Sequence, residues 1–315
     1  MCFRRFSHLH TRLFGLSKRM RIDAECINAF VMEMNKYAVR FGMKNTKFVN
    51  PHGLNEIGHY SCAKDIARMT MCATAYKKLM EFWGQTTYSV AVGGNHARTI
   101  SGASTYKGGN MTSVGNYYHI LGGKSGMVKV SNVRHENLCL VVKSKVDDAW
   151  LVGCILGNKN NPEASTTGNR GVPFKEMLDW LEDYRQDPST VAQPVQATHC
   201  SAWVVPPFVP TAYADVDLEM VGKSSTTQTY PASTTKLMTA MVVLDNLSLD
   251  ETVTVHSEDI RSGSGDIFYA GDTLNVGDAL LAMLLPSSNT LAVTFARVAG
   301  EKILNTMKVS RSSRV

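Results

Sequence analysis

Three apolar runs between residues 117 and 158 constrain the fold of this chain more strongly than any other feature. They read YYHILGGKSGMVKV, ENLCLVVKSK and AWLVGCILGN, and short polar segments separate them. Their composition is typical of β-strands, and the connections are too short for the crossover that parallel strands need. The sequence therefore predicts an antiparallel meander in this part of the chain.

Helical periodicity surrounds the predicted meander. Apolar residues recur at helical spacing in INAFVMEMNKYAVRFGM and SCAKDIARMTMCATAY before it, and in PFKEMLDWLEDY (173–184) after it. A short predicted strand, TAYADVDLEM, is followed by three more helical segments, which begin near Ser233, at Val276 and at Asn289. This mixture predicts an α/β (α+β) fold with a central antiparallel sheet flanked by helices.

Segment 185–210 is predicted to be a linker, because it holds five of the ten prolines in the chain. Proline fixes φ and lacks a backbone N–H, so such a segment makes a poor helix and a poor inner strand. The predicted organisation is a basic tail over 1–24, folded segments over 25–184 and 211–302, and a second tail over 303–315.

The formal net charge of +6 is concentrated at one end of the chain. Residues 1–22 contain six basic side chains and no acidic one, so the remainder is neutral. A neutral body argues against nucleic-acid binding. The basic tail is predicted to be solvated, and weak contact with an anionic membrane surface is the alternative.

The seven cysteines are scattered and form no CxxC pair. We therefore expect no metal site and no disulfide framework, and no cofactor is predicted. The sequence contains no uncharged apolar run of about 18 residues, so no membrane-spanning helix is predicted. It also shows no compact apolar stretch with a small-residue cleavage site, so no signal peptide is predicted.

An SxxK pattern occurs three times, at Ser61, Ser104 and Ser233. Ser61 is explained as the N-cap of a helix, and Ser104 lies in a loop rich in Gly and Thr. Ser233 differs because Pro231 leads directly into a helix, whose turn places Lys236 beside the serine hydroxyl. A buried lysine loses its charge readily and can then activate a serine. This pair is the candidate for nucleophilic catalysis.

The sequences YPASTTKLMTA, LLPSSNTLAV and GGKSG resemble the SxxK, SxN and K[T/S]G motifs of the penicillin-recognising serine enzymes. FGMKNTKFVNPHGL and AGDTLNVGDALLAMLLPSSN are further similar to the D-alanyl-D-alanine carboxypeptidases, the low-molecular-mass penicillin-binding proteins. The resemblance covers roughly residues 25–184 and 211–302. It implies a β-lactamase/transpeptidase-like fold, in which a helical subdomain accompanies the central sheet.

The resemblance also implies a role for each motif residue. Ser233 would be the acylated nucleophile, Lys236 its proton acceptor, and Ser287 the proton relay to the leaving amine. The substrate-binding residues would be Asn289, Lys124, Ser125, Gly126 and Met127. Lys124 and Ser125 would bind the substrate carboxylate, and the N–H groups of Ser233 and Met127 would form an oxyanion hole, which typically contributes about 3 to 4 kcal/mol per donor. His52 and His59 are interpreted as turn-stabilising residues, with a catalytic base as the alternative.

The motifs occur in an unexpected order. Family members run SxxK, SxN and K[T/S]G, whereas here the KSG motif at residue 124 precedes Ser233 and Ser287. This order predicts a circular permutation, with 25–184 as the C-terminal half of the domain and 211–302 as the N-terminal half. Chain order does not by itself prevent catalysis, because serine triads on different folds occur in different orders.

The resemblance implies a serine carboxypeptidase that removes the terminal D-alanine from peptidoglycan stem peptides and is acylated by β-lactam antibiotics. It also implies a location in the cell envelope. The alternatives are a serine β-lactamase, for which no ExxLN loop is evident, and a non-catalytic penicillin-binding protein or rearranged reading frame.

Overall fold

The computed structural model describes residues 18–105, 117–159, 171–190, 195–206 and 217–312. The described strands are Thr87–Gly94 (β1), Arg98–Ala103 (β2), Tyr118–Val130 (β3), Val133–Ser144 (β4), Trp150–Lys159 (β5), His199–Val204 (β6), Glu219–Lys223 (β7), Thr252–Thr254 (β8) and Asp272–Asn275 (β9). The described α-helices are Lys18–Arg40 (α1), Ala63–Ala73 (α2), Lys77–Trp83 (α3), Gly171–Gln186 (α4), Thr235–Asn246 (α5), Val276–Leu284 (α6) and Asn289–Ser312 (α7). Short 3₁₀ turns cover Ala232–Thr234 and Ser257–Asp259.

The larger sheet contains five antiparallel strands in the order β3-β4-β5-β6-β7. The predicted meander forms its first three strands. A smaller antiparallel sheet has the order β2-β1-β9-β8. The predicted α/β class with a central antiparallel sheet is therefore confirmed, while the permutation stays a prediction.

Helix α5 lies at the centre of the molecule. All its residues from Thr235 to Val243 are buried, and it contacts α1, α2, α6 and α7. Helix α2 in turn packs across β4, β5 and β6. A helix that is apolar all round needs neighbours on every side. The SxxK turn is thereby anchored in the best-packed part of the fold.

The structure corrects the predicted linker. Strand β6 lies within 185–210 and pairs with β5 on one side and β7 on the other. The prolines stand outside the apolar run CSAWV, so they leave its ladder of hydrogen bonds intact. The strand predicted over TAYADVDLEM is found only as β7, and residues 207–216 lie outside the described ones.

The predicted tails are corrected as well. Helix α1 begins at Lys18, inside the predicted basic tail, and α7 continues to Ser312, through most of the second tail. The two helices pack against each other, and a Cβ on Gly300 would stand 2.0 Å from the Cys26 carbonyl oxygen. Residues 1–17, which hold the rest of the predicted basic tail, lie outside the described residues.

Candidate active site

The Ser233–Lys236 pair stands at the first turn of α5. Ala232–Thr234 form a 3₁₀ turn that runs directly into the helix. Ala232 has φ 48°, an uncommon value for a residue with a Cβ. Ser233 is partly exposed and Lys236 is completely buried. The two side chains are in contact, with 2.9 Å between Lys236 Nζ and Ser233 Oγ.

Lys236 has two other polar contacts. Its Nζ donates to the His52 main-chain oxygen at 2.9 Å and to Asn289 Oδ1 at 2.7 Å. Burial, and secondarily the charge of Lys124, lower the pKa of Lys236 well below its ordinary value. A neutral amine has two N–H groups and one lone pair. The two carbonyl oxygens can only accept, so they take both N–H groups and leave the lone pair for the Ser233 hydroxyl proton.

The SxN motif stands at the start of α7. Ser287 has φ 73°, and its Oγ lies 2.9 Å from Lys124 Nζ. Asn289 is held from its other side, because its Nδ2 donates to the Ser262 main-chain oxygen at 3.0 Å. Backbone strain of this kind persists only where the surroundings enforce it, and it concentrates at functional sites.

The KSG motif lies on β3, which is an edge strand among the described strands. Lys124 is completely buried and its Nζ also donates to the Ser125 main-chain oxygen at 2.9 Å. A Cβ on Gly126 would lie 3.0 Å from the Ser233 main-chain nitrogen, so glycine allows the strand to approach the nucleophile closely. Met127 is 45% exposed next to it.

The structure thus brings the three motifs together in one chain. Residues 124, 233 and 287 are far apart in sequence, but Lys124 touches Ser287, and Lys236 touches both Ser233 and Asn289. The SxxK pattern at Ser61 makes none of these contacts, because its Ser61 hydroxyl faces Thr46. Lys64 pairs with Asp217 and Glu219, and Lys107 lies outside the described residues.

The N-cap interpretation of Ser61 is wrong by one residue. Cys62 caps α2, with its Sγ accepting from the Asp65 N–H. The Ser61 hydroxyl instead contacts Thr46 Oγ1 at 2.7 Å. Capping depends on which side chain lies beside the first turn, and one residue of offset in the helix start changes that side chain.

Several residues at the site carried no signal in the sequence analysis. Thr105 Oγ1 lies 2.9 Å from Ser125 Oγ. Asn137, on β4, donates to the main-chain oxygens of Tyr230 and Pro231, at 2.8 and 3.0 Å, and so ties the sheet to the loop before Ser233. One helical turn links Ser233 to Lys236 in the sequence, but no local pattern links Thr105 to Ser125 or Asn137 to Pro231.

This arrangement defines a class of site. A serine at a helix N-terminus, a buried lysine with a lowered pKa beside it and a second buried lysine on a facing strand are suited to serine acyl transfer. The described residues contain no group of three or more His, Cys, Asp or Glu side chains that could hold a metal ion. None of the described helices is long and apolar enough to cross a membrane.

The chain belongs to the S11 peptidase family, the D-alanyl-D-alanine carboxypeptidases, whose family model matches residues 24–160 and 220–307. The matched residues include all three motifs. No solved structure matches the chain.

Curated relatives agree with the family match. The chain is 31% identical over 151 residues to D-alanyl-D-alanine carboxypeptidase DacF of Bacillus subtilis, covering 48% of this chain and 34% of that protein. It is 55% identical over 38 residues to DacA of Haemophilus influenzae, covering 12% and 10%. It is 28% identical over 123 residues to a D-alanyl-D-alanine endopeptidase of Pseudomonas aeruginosa, covering 38% and 35%. The matched segments thus span about a third or less of each relative.

Proposed function

We propose that this protein is a serine D-alanyl-D-alanine carboxypeptidase that acts on peptidoglycan stem peptides. The observation that carries the proposal is the contact of Lys236 Nζ with Ser233 Oγ, at 2.9 Å, inside a site that lowers the lysine pKa. A serine hydroxyl is a weak nucleophile until a neighbouring base takes its proton. Lys236 in its neutral form is that base.

The reaction follows from these positions. Ser233 Oγ attacks the carbonyl carbon of the terminal peptide bond while Lys236 accepts the hydroxyl proton. The resulting oxyanion is stabilised by main-chain N–H groups at the start of α5 and on β3. The proton that Lys236 accepted is returned to the departing D-alanine amine through Ser287, whose Oγ lies 2.9 Å from Lys124 Nζ. Water then hydrolyses the ester and restores the serine.

Substrate recognition is assigned to β3. Lys124 attracts the terminal carboxylate and Ser125 donates a hydrogen bond to it, while Gly126 lets the peptide lie close to the strand. Asn289 contacts the substrate backbone as well as Lys236. β-Lactam antibiotics carry a carboxylate beside a reactive carbonyl, so the same groups would direct them to Ser233.

A circular permutation is part of the proposal. The SxxK and SxN motifs belong to the half that normally comes first, and the KSG motif to the half that normally follows. The close contact of Gly300 on α7 with Cys26 on α1 supports this order, because the matched segments end at residue 307 and begin at residue 24 near that contact. Catalysis in the cell envelope, and contact of the basic N-terminal segment with an anionic membrane surface, are parts of the same proposal.

A fluorescent penicillin tests the function. We expect covalent labelling of the wild type, loss of labelling in Ser233→Ala, and normal labelling in Ser61→Ala, which alters the serine of another SxxK pattern. An unlabelled wild type would contradict the proposed function, and a labelled Ser233→Ala would contradict the choice of nucleophile. A label that persists for minutes supports a carboxypeptidase, whereas loss within seconds would indicate a β-lactamase.

A further inference from the structure

His59 is only 2% exposed and lies beside Thr235, directly after the Ala232–Thr234 turn that carries Ser233. Its Nδ1 accepts a hydrogen bond from the Val49 main-chain N–H at 3.1 Å. A ring nitrogen that accepts carries no proton, so the proton of the neutral ring lies on Nε2. Burial lowers the pKa of His59 to about 4, so the ring is neutral at ordinary working pH.

The protonated nitrogen faces the SxxK motif. His59 Nε2 lies 3.0 Å from Thr235 Oγ1, the residue directly before Lys236. Since Nδ1 is already an acceptor, Nε2 donates and the threonine hydroxyl accepts. Thr235 is completely buried, so removing either partner would leave a polar group without water or a substitute bond.

Two further hydrogen bonds join the same segment to α5. Thr239 Oγ1 donates to the Pro51 main-chain oxygen at 2.6 Å, and Lys236 Nζ donates to the His52 oxygen at 2.9 Å. Gly53 lies against the Ala232 carbonyl. The φ of Gly53 is +85°, and a Cβ on this residue would stand 1.9 Å from the Ala232 oxygen, so no side chain fits there. Segment 47–60 is thus fitted to the first turn of the helix.

This fit decides where the lysine lone pair points. The His52 oxygen takes one N–H of Lys236, so a shift of segment 47–60 relative to α5 would rotate the amine away from Ser233. Small errors in the position of a catalytic group are costly, and about 1 Å can lower a rate by about 10²-fold.

We infer that His59 is a positioning residue for the Ser233–Lys236 pair and acts through its hydrogen bond to Thr235. The inference rests on the proposed function. His59 does not take part in proton transfer, because both of its ring nitrogens are occupied by Val49 and Thr235.

Acylation kinetics test this inference. The variants are His59→Leu, His59→Gln, Thr235→Val and Thr235→Ser, measured with a fluorescent penicillin so that the initial binding constant and the acylation rate are separated. His59→Leu and Thr235→Val are expected to lower the acylation rate about 10- to 100-fold and leave the binding constant unchanged. Thr235→Ser keeps the acceptor and His59→Gln can keep a donor, so both are expected to stay within about threefold of wild type.

Matched controls separate positioning from general damage. Thr70→Val removes another buried helical threonine hydroxyl, which bonds to Ile66 in its own helix, and His96→Gln alters an exposed histidine. Both are expected to acylate normally. Melting temperatures are recorded for every variant, and the acidic limb of the acylation rate is expected to keep its wild-type midpoint in His59→Gln.

Four outcomes would overturn the inference. They are unchanged acylation in His59→Leu, equal losses in Thr235→Val and Thr235→Ser, equal losses in Thr235→Val and Thr70→Val, or a lost pH limb in His59→Gln. If His59→Leu does not fold, the two Thr235 variants decide. An unlabelled wild type would instead contradict the proposed function, which is a different result from a labelled wild type with an indifferent His59.

Discussion

Two buried basic side chains show how differently this fold treats positive charge. Arg297 on α7 is 8% exposed and Lys236 on α5 is completely buried. Arg297 pairs with Asp259, through Nε–Oδ1 at 3.0 Å and Nη2–Oδ2 at 2.6 Å. Among the described residues, the hydrogen-bond partners of Lys236 are neutral: two carbonyl oxygens and one hydroxyl.

The difference separates structure from reactivity. A buried charge with a carboxylate partner keeps its proton and holds two elements together. A buried lysine without one loses its proton more easily, because desolvation penalises only the charged form. The surroundings of Lys236 satisfy its hydrogen bonds but do not neutralise its charge, and this combination produces a base.

Removing the amine of Lys236 should have the largest effect on activity. Lys236→Met keeps an apolar stem and deletes the amine, and we expect acylation to fall by about 10³-fold or more, as for the loss of other activating bases. The free energy of unfolding should change by no more than about 2 kcal/mol, because the lost hydrogen bonds are offset by the removal of an uncompensated group. Stopped-flow labelling and urea unfolding measure the two quantities. A variant that labels normally would remove Lys236 from the mechanism.

Breaking the Arg297–Asp259 pair should have the reverse effect, lowering the free energy of unfolding and leaving acylation nearly unchanged. Asp259→Asn leaves the Arg297 guanidinium buried beside a neutral amide, and we expect a loss of about 3 to 5 kcal/mol in the free energy of unfolding. Acylation at 10 °C should stay within about threefold of wild type in the folded fraction. Lys302→Met, which removes an exposed partner of Glu251, is the control and should cost less than about 1 kcal/mol. A stable Asp259→Asn protein with slow acylation would reverse the comparison.

The pH dependence of acylation should report the Lys236 pKa. The rate needs the neutral amine, so it should rise with pH through a pKa below the ordinary lysine value of 10.5 and be lost on the acidic side. The same shift makes the free energy of unfolding rise with pH up to about that ordinary value, because the unfolded chain binds the additional proton. An acylation rate that does not change with pH below the ordinary lysine pKa of 10.5 would contradict this assignment.

The sequence predicted the motif residues better than their supports. One helical turn separates Ser233 from Lys236 and strand periodicity is local, so the sequence predicts both the pair and the meander. The hydrogen bonds of Thr235 with His59 and of Ser125 with Thr105 join side chains on different elements, which no periodicity reveals. Strand β6 is not predicted, because the prolines around its short apolar run disfavour an inner strand.

A third buried basic side chain, Lys124, extends the comparison to β3, the strand that we propose binds the substrate carboxylate. Lys124 donates to the Ser125 and Ser287 oxygens, and Thr105 contacts the Ser125 hydroxyl. Thr105→Val should free that hydroxyl to rotate and raise KM for a D-alanyl-D-alanine peptide by about 5- to 10-fold, as expected for the loss of about one hydrogen bond. Thr105→Ser should restore it. Steady-state release of D-alanine gives both constants, and a change confined to kcat would contradict a role in carboxylate binding.

Reordering the chain should have the smallest effect on acylation. It tests whether the surroundings of Lys236 depend on the order of the two matched segments. Arg297 and Asp259 lie in one matched segment, whereas Lys236 takes its His52 acceptor from the other. A protein opened at Ser189, with residue 312 joined to residue 18 by about 20 Gly and Ser residues that reach about 25 Å, restores the family order. Because the site depends on contacts in space, acylation should stay within about threefold of wild type. A folded product that no longer labels would show that this order of segments, and not only their packing, keeps the two carbonyl acceptors around the lysine.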